Sequence, residues 1–229
     1  MIIGGVHGSE AAGVQVVDML LDLLRNASAP PAFSLIVVPA LFPENVAKGK
    51  RKTSKKSVDP NRQMPAIGSS PGTQDSEGRP IEAENLVLLD LIERFHPERI
   101  ASVHGNAHAN MASITSDPRP GNEAADKDLA LDMARQAKAG GARVPGNKLG
   151  TKQESATYPT STAPGGHEKG VTFGEYGSHQ AGSRPAMNVI LIETSGNATV
   201  EKTGRKRRAA RKIELESFAT VLRDVFLKP

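Results

Sequence analysis

A histidine and a glutamate stand three positions apart near the start of the chain, directly after an apolar run that ends in two glycines. They are His7 and Glu10, in the sequence Met1-Ile-Ile-Gly-Gly-Val-His-Gly-Ser-Glu10. Imidazole nitrogens and carboxylate oxygens are ordinary zinc ligands, and a catalytic zinc needs three protein ligands and one open position for water. The pair would supply two of these ligands, although the His-x-x-Glu pattern alone is a weak signal.

The third ligand should come from the end of another strand. His104 is the later histidine that follows an apolar, strand-like run and precedes a glycine, in Arg99-Ile-Ala-Ser-Val-His-Gly-Asn106. Because the sequence contains no cysteine, a transition metal would depend on histidine and carboxylate ligands. We therefore predict that His7, Glu10 and His104 bind one zinc ion per chain.

A zinc hydrolase also needs a base and a group that holds its substrate. Glu193 ends the apolar run Val189-Ile-Leu-Ile-Glu193, where partial burial would raise its proton affinity; the alternative is a strand-end glutamate paired with a surface lysine. Asn61 and Arg62 offer an amide and a planar guanidinium that can grip a substrate carboxylate. The bland alternative is a loop turn, which Asp59-Pro-Asn61 also resembles.

The composition fits one α/β domain of enzyme size, and we treat residues 1–229 as a single catalytic domain. With 22 glycines, 16 prolines, no tryptophan and two tyrosines, the core must consist mainly of Val, Leu, Ile and Ala. The alternation of strand, helix and strand predicts a mixed, largely parallel β-sheet with helices on both faces. Ligands bind at the carboxyl ends of such strands, where His7, His104 and Glu193 would meet.

Hydrophobic periodicity places the elements along the chain. Strands are predicted at residues 1–6, 33–38, 100–103 and 188–192, and helices at 9–26, 81–95, 129–137 and 213–227. Residues 42–80 and 138–186 are predicted to be mostly loop, and Ser9 is a candidate cap of the first helix. Met1 lies directly on the first strand, so it stays open whether earlier strands of the sheet are missing.

Basic residues cluster in two segments, from Lys48 to Lys56 and from Lys202 to Lys212, and the formal net charge is +4. Such segments could contact a polyanion, so a non-catalytic basic binding protein is an alternative of another class. Neither segment contains aromatic residues that stack on bases, and we do not expect a nucleic-acid partner. Without a transmembrane span or signal peptide in the sequence, we expect no membrane partner and a cytoplasmic location; the oligomeric state is open.

Taken together, the motifs resemble the M14 zinc carboxypeptidase family, over nearly the whole stretch from His7 to about Asn197. The matching motifs, in chain order, are His7-Gly-Ser-Glu10, Asp59-Pro-Asn-Arg62, His104-Gly and Glu193. Tyr158-Pro-Thr and Phe173-Gly-Glu-Tyr-Gly177 add a similarity to the short bacterial members of the murein tripeptide amidase type. The resemblance implies the α/β fold of that family.

The resemblance also implies individual roles. The zinc ligands would be His7, Glu10 and His104, the general base and later general acid would be Glu193, and the clamp for a substrate carboxylate would be Asn61 and Arg62, braced by Asp59. The family's oxyanion arginine lies upstream of its Asn-Arg pair, which indicates Arg51. Tyr158 and Tyr176 are candidates for a tyrosine that contacts substrate, or for residues that only pack.

The implied reaction is hydrolysis of an amide bond next to a free carboxylate. The substrate would be a short peptide, a cell-wall peptide ending in a diamino acid, or an N-acyl amino acid. The enzymatic alternative is a deacylase of the aspartoacylase or succinylglutamate desuccinylase type, which shares the zinc triad, the Asn-Arg pair and the glutamate.

Overall fold

A computed structural model describes residues 1–53, 58–106, 112–158, 169–195 and 205–228, without the side chains of residues 205–208. Within these ranges the sheet has five strands: β1 (Ile2–Ile3), β2 (Val37–Val38), β3 (Arg99–Gly105), β4 (Ser113–Asp117) and β5 (Asn188–Thr194). Their order across the sheet is β2-β1-β3-β5-β4. All neighbours pair in parallel except β4, which runs antiparallel to β5. The predicted mixed, largely parallel sheet is thus confirmed.

Helices cover both faces of the sheet. They are α1 (Ala11–Arg25), α2 (Pro43–Lys48), α3 (Ala83–Phe95), α4 (Glu123–Ala139), α5 (Phe173–Ser178) and α6 (Arg205–Val221), and α6 continues into a π-helical turn at Leu222–Phe226. Short 3-10 turns lie at Pro60–Arg62 and Pro145–Asn147. In the described part of the chain, no helix combines the length and the apolar content needed to cross a membrane.

Two apolar cores lie between the sheet and its helices, one on each face of the sheet. Because successive strand residues point to opposite faces, Ile2 and Ala101 pack under α1, α4 and α6, whereas Ile3 and Ile100 pack under α3 and α5. The same alternation places Ser102 and His104 of β3 on the α3 and α5 face. The polar residues of this face are therefore concentrated towards the carboxyl end of β3.

Several predicted boundaries were wrong. The first strand ends at Ile3 because Gly5 takes a left-handed conformation, with φ of 63°, which turns the chain out of the sheet. Helix α1 begins after Glu10, and its N-terminus receives no side-chain cap, so Ser9 does not cap it. Strands β3 and β5 extend past the predicted ends, and His104 and Glu193 consequently lie inside strands.

Three short elements were not predicted. Helices α2 and α5 each contain six residues and lie in segments predicted as loop. Helix α5 is fixed by a capping box, in which Thr172 and Glu175 exchange side-chain and backbone hydrogen bonds. Strand β4 forms one edge of the sheet, and β2 forms the other, so that β1 is paired on both sides.

Candidate metal centre

The turn between β1 and α1 places His7 and Glu10 side by side. The Glu10 amide donates to the His7 carbonyl at 3.0 Å, and α1 starts at the next residue. This turn brings His7 Nδ1 to 2.9 Å from Glu10 Oε1. Both side chains are buried. A spacing of three residues therefore directs both ligand atoms to one point.

His104 completes the cluster from the neighbouring strand β3. Its Nδ1 lies 3.2 Å from His7 Nδ1 and 2.9 Å from Glu10 Oε2. Ligand atoms of the three residues all lie within 4.8 Å of one another. The structure thus brings together the three residues that the sequence selects as metal ligands, across 97 positions of chain.

The outer nitrogen of each histidine has its own partner. His7 Nε2 lies 2.7 Å from Asp59 Oδ1, and His104 Nε2 lies 3.0 Å from Ser102 Oγ. A carboxylate can only accept, so His7 Nε2 carries the proton and, in the neutral ring, Nδ1 presents a lone pair. In the same way, Ser102 Oγ can accept a hydrogen bond from His104 Nε2. Such outer partners are typical of metal-binding histidines.

The donor set consequently suits a cation. Two imidazole lone pairs and a carboxylate that share one point repel one another, and a divalent ion between them would relieve this repulsion. Nitrogen and oxygen ligands without thiolate fit zinc, and three protein ligands leave one position open. The residues present therefore fit the metal that the resemblance implies.

Protons compete for the same atoms. Burial lowers the pKa of His7, but the hydrogen bonds to Asp59 and Glu10 raise it more, so its pKa lies above the ordinary value. Burial raises the pKa of Glu10, but the hydrogen bonds and charges of His104 and His7 lower it more. The pKa of Glu10 therefore lies well below its usual range. Metal binding must release the imidazole proton and should weaken as the pH falls.

Arg51 borders this cluster and connects its carboxylates. It donates to Glu10 Oε1 and, at 3.0 Å, to Asp59 Oδ2. Its side chain is 48% exposed, so the guanidinium also faces the outside of the cluster. A cation at this position can stabilise negative charge that develops on a substrate. Its predicted role as the oxyanion cation stays a prediction.

Asn61 and Arg62 lie on a short turn that is tied to the cluster. Asp59, the partner of His7, also accepts from the Asn61 amide at 2.9 Å. The turn is held from below by Asn85, which donates to the Pro60 carbonyl at 2.9 Å. Arg62 is 9% exposed, and its Nε is buried and has no hydrogen-bond partner among the described residues. An unpaired guanidinium donor suits a carboxylate ligand.

Glu193 lies next to the cluster on β5. It pairs in register with His104 of the parallel strand β3, so the two side chains project from the same face of the sheet. Burial raises the pKa of Glu193, and the nearby His104 acts in the opposite direction without cancelling the shift. No lysine among the described residues pairs with it, which disfavours the alternative of a strand-end salt bridge.

The two candidate tyrosines differ in their surroundings. Tyr176 is fully buried, and its ring lies 4.9 Å below the Arg184 guanidinium, so it belongs to the core. Burial raises the pKa of Tyr158, and Glu193 raises it further while Arg62 lowers it. Tyr158 is therefore within electrostatic reach of the base candidate and of the clamp.

Sequence reasoning missed two partners of the ligands. Ser102 contacts His104, and the Gly105 amide donates to Glu10 Oε2 at 3.1 Å. The first could have been found from the Ser-Val-His spacing, since residues two positions apart share a face of a strand. The second depends on how α1 lies against β3, which no local pattern shows.

Gly8, between the two ligands of the first turn, offers a test of this geometry. A Cβ at Gly8 would overlap the backbone of Asn45 in α2. We expect Gly8→Ala to reduce the free energy of unfolding by about 2 kcal/mol, the usual range for overpacking, and to weaken metal retention. Urea titration and metal analysis measure the two effects. Gly72→Ala is the matched control because its Cβ would meet no atom within 4 Å; equal behaviour of the two variants would contradict the geometry.

No protein-family model matches the sequence, and no curated protein matches it. Solved structures do. A metallo-carboxypeptidase of Pseudomonas aeruginosa, in complex with (2-guanidinoethylmercapto)succinic acid, aligns with 99% of this chain and 57% of its own, at TM-score 0.61 and 16% identity. A murein-tripeptide amidase of Escherichia coli O157 aligns with 93% of this chain and 80% of its own, at TM-score 0.50 and 18% identity. A succinylglutamate desuccinylase/aspartoacylase of Rhodobacter sphaeroides aligns with 98% of this chain and 55% of its own, also at TM-score 0.50 and 18% identity.

These solved structures are of the same three kinds that the sequence motifs resemble. At a sequence identity of 16–18%, the likeness shows that this chain shares their fold and does not show that it shares their activity. The likeness extends over 93–99% of this chain. The chain therefore has the fold of the metallocarboxypeptidases.

Proposed function

We propose that this protein is a zinc-dependent hydrolase that cleaves an amide bond next to a free carboxylate, with residues 1–229 as its catalytic domain. One observation carries the proposal: His7, Glu10 and His104 direct their ligand atoms to one buried point, within 4.8 Å of one another. The metallocarboxypeptidase fold supports it. A bound zinc ion supplies Lewis acidity and lowers the pKa of a water molecule.

Glu193 is the proposed proton carrier. It takes a proton from the attacking water and passes it to the leaving amine, as a general base and then a general acid. Its pairing with His104 in the parallel register, which brings the two residues side by side, supports this role. Its raised pKa brings it closer to neutrality, where one carboxyl group can both accept and return a proton.

Two arginines divide the binding of negative charge. Arg51, at the rim of the cluster beside Glu10, stabilises the oxygen that becomes negative during attack. Arg62 and Asn61 hold the free carboxylate of the substrate; the buried Arg62 Nε has no hydrogen-bond partner among the described residues, which supports this role. Arg51 and Arg62 are close together in the sequence, with Asp59 between them. Asp59 accepts from Arg51 and from the Asn61 backbone amide, so that the two arginines can have separate roles.

The substrate class has two candidates. A short peptide with a free C-terminal carboxylate fits the likeness to the carboxypeptidase and the amidase, and we favour it. An N-acyl amino acid fits the likeness to the succinylglutamate desuccinylase/aspartoacylase, which extends over 98% of this chain. Parallel assays with acetylated dipeptides and with acetylated single amino acids separate the two.

A basic binding protein is the weaker alternative. In the described part of the second basic segment, Arg211 turns inward and donates to Ser195 Oγ and to Glu214, each at 2.9 Å. Lys202 lies outside the described residues. Binding of a polyanion that falls steeply with salt and is unaffected by chelation would favour this alternative.

Metal content is the direct test. Purified wild-type protein supplied with zinc should contain about one zinc per chain by elemental analysis, and His104→Ala should retain less than about a tenth of it, because a catalytic zinc site needs its three ligands. His96→Asn is the control, since His96 is exposed at the left-handed end of α3, where asparagine is also tolerated. Folded wild-type protein without zinc, or hydrolysis that survives chelation, would overturn the proposal.

A further inference from the structure

The carboxyl end of β5 carries Glu193, the proposed proton carrier, and is held differently on its two sides. On the β3 side the pairing continues past Glu193, and the Asn106 amide donates to the Thr194 carbonyl at 2.8 Å. On the β4 side, the pairing within the described residues ends at Glu193 itself, opposite Ser113. Ser195, the residue after the strand, must therefore find partners for its backbone groups in another element.

Two charged residues of α6 supply these partners. Glu214 accepts from the Ser195 backbone amide at 2.9 Å and from the Ser195 hydroxyl at 2.7 Å. Arg211 donates to the Ser195 carbonyl and, at 3.5 Å, to Thr194 Oγ1. The two charged side chains also pair with each other at 2.9 Å. One ion pair thus binds the amide, the carbonyl and the hydroxyl of Ser195.

This ion pair is buried, unlike a neighbouring pair on the same helix. The side chains of Arg211 and Glu214 are 9% and 7% exposed, whereas those of Lys212 and Glu216, which pair at 3.5 Å, are 70% and 50% exposed. Removing two charges from water costs free energy, and apolar residues of similar volume often stabilise a fold at least as well as a buried ion pair does. Stability alone therefore does not account for the buried pair.

The strand end that the pair binds lies against the metal centre. Gly105 separates Thr194 from the proposed ligand Glu10, since a Cβ on Gly105 would lie 3.2 Å from Glu10 Cβ and 3.5 Å from Thr194 Oγ1. The Gly105 amide also donates to Glu10 Oε2 at 3.1 Å. A shift of the end of β5 would therefore move Glu193 relative to the proposed metal ligands.

We propose that Arg211 and Glu214 are positioning residues, which hold the carboxyl end of β5 so that Glu193 keeps its place beside the metal ligands. The inference rests on the proposed function and adds to it two residues that act through the strand and not on the substrate. It also gives one member of the basic segment from Lys202 to Lys212 a role other than binding a polyanion, because Arg211 is buried against Ser195.

The test removes both charges together, because removing one would leave the other buried and unpaired. The double variant Arg211→Met/Glu214→Gln keeps an oxygen that can accept from the Ser195 amide. With acetylated dipeptides, kcat should fall by about 10–100-fold, since a small misplacement of a catalytic group is costly, while KM changes by less than about twofold and zinc is retained. The matched control, Lys212→Met/Glu216→Gln, alters the exposed pair and should change none of these quantities.

Should the double variant not fold, Arg211→Lys provides the same test. It keeps the charge beside Glu214 but loses the planar fork that reaches both Ser195 and Thr194, so kcat should fall again while KM stays unchanged. An unchanged kcat in a folded variant, or an equal fall in the control, overturns the inference.

Amide hydrogen exchange separates failure of this inference from failure of the proposed function. If wild-type protein hydrolyses no dipeptide, exchange in residues 188–195 still reports how firmly the end of β5 is held. Faster exchange in the Arg211 variants than in wild-type protein and in the control supports the inference. Equal exchange in all of them overturns it.

Discussion

Replacing Glu193 by glutamine should lower kcat for amide hydrolysis by about 10²–10⁴-fold, the usual contribution of a general base, while zinc content stays near one per chain. Glutamine has nearly the same shape, and the β5 pairing that places residue 193 beside His104 depends on the backbone. Steady-state kinetics and elemental analysis measure the two quantities. Glu98→Gln removes an exposed glutamate and should change neither.

The pH profile adds a second readout for Glu193. A base must be ionised, and a raised pKa means that the ionised form is lost at a higher pH than for an ordinary glutamate. The acid limb of kcat/KM should therefore report protonation of Glu193, whose pKa is raised by burial and lowered by the positive charge of His104 or of a bound cation. Residual activity of the Gln variant should lack this limb. Full activity with an unchanged limb would exclude Glu193 as the base.

The sequence predicted that His7, Glu10 and His104 would lie together because His7 and His104 follow apolar runs. In a parallel sheet, strands that start together also end together, so His104 and Glu193 had to become neighbours once β3 and β5 paired. The turn after β1 is local, and the spacing of His7 and Glu10 was sufficient to place them together. The positions of these four residues needed no information beyond element order.

Strand β4 and helix α5 could not be predicted in the same way. Strand β4 has the sequence Ser-Ile-Thr-Ser-Asp, which carries a single apolar residue and is equally typical of a loop. Its antiparallel pairing with β5 arises from tertiary contact, and only this pairing brings Asp117 to the α5 face. Helix α5 is too short to be predicted from periodicity. Two elements that the sequence does not predict, β4 and α5, therefore pack against β5.

The hydrogen-bond partners of the proposed ligands could be predicted only in part. Asp59 was expected to brace its loop, and the structure adds that it bonds His7 and Arg51 as well. Such sharing cannot be derived from composition because each carboxylate has several possible partners. Its effect is that the first ligand, the proposed oxyanion cation and the clamp are coupled through one side chain.

Replacing Arg62 by glutamine should reduce kcat/KM for substrates with a free carboxylate by about 30–5,000-fold, since losing one partner of a buried charge pair typically costs about 2–5 kcal/mol. The same variant should hydrolyse the corresponding C-terminal amides almost as well as wild-type protein does. The reason is that a carboxylate pairs with the positive charge of the Arg62 guanidinium, whereas a neutral amide does not. Assays of matched acid and amide substrates measure the ratio directly.

Two further variants separate recognition from folding. Arg62→Lys keeps the positive charge but loses the planar fork, so its acid-to-amide ratio should be intermediate. Arg94→Gln, on the exposed side of α3, should leave the ratio unchanged, because Arg94 forms a 3.8 Å surface pair with Asp90. If Arg62→Gln slowed acid and amide substrates equally, Arg62 would support the turn through its 2.7 Å bond to the Asn61 carbonyl, and the carboxylate would have to be recognised by another group.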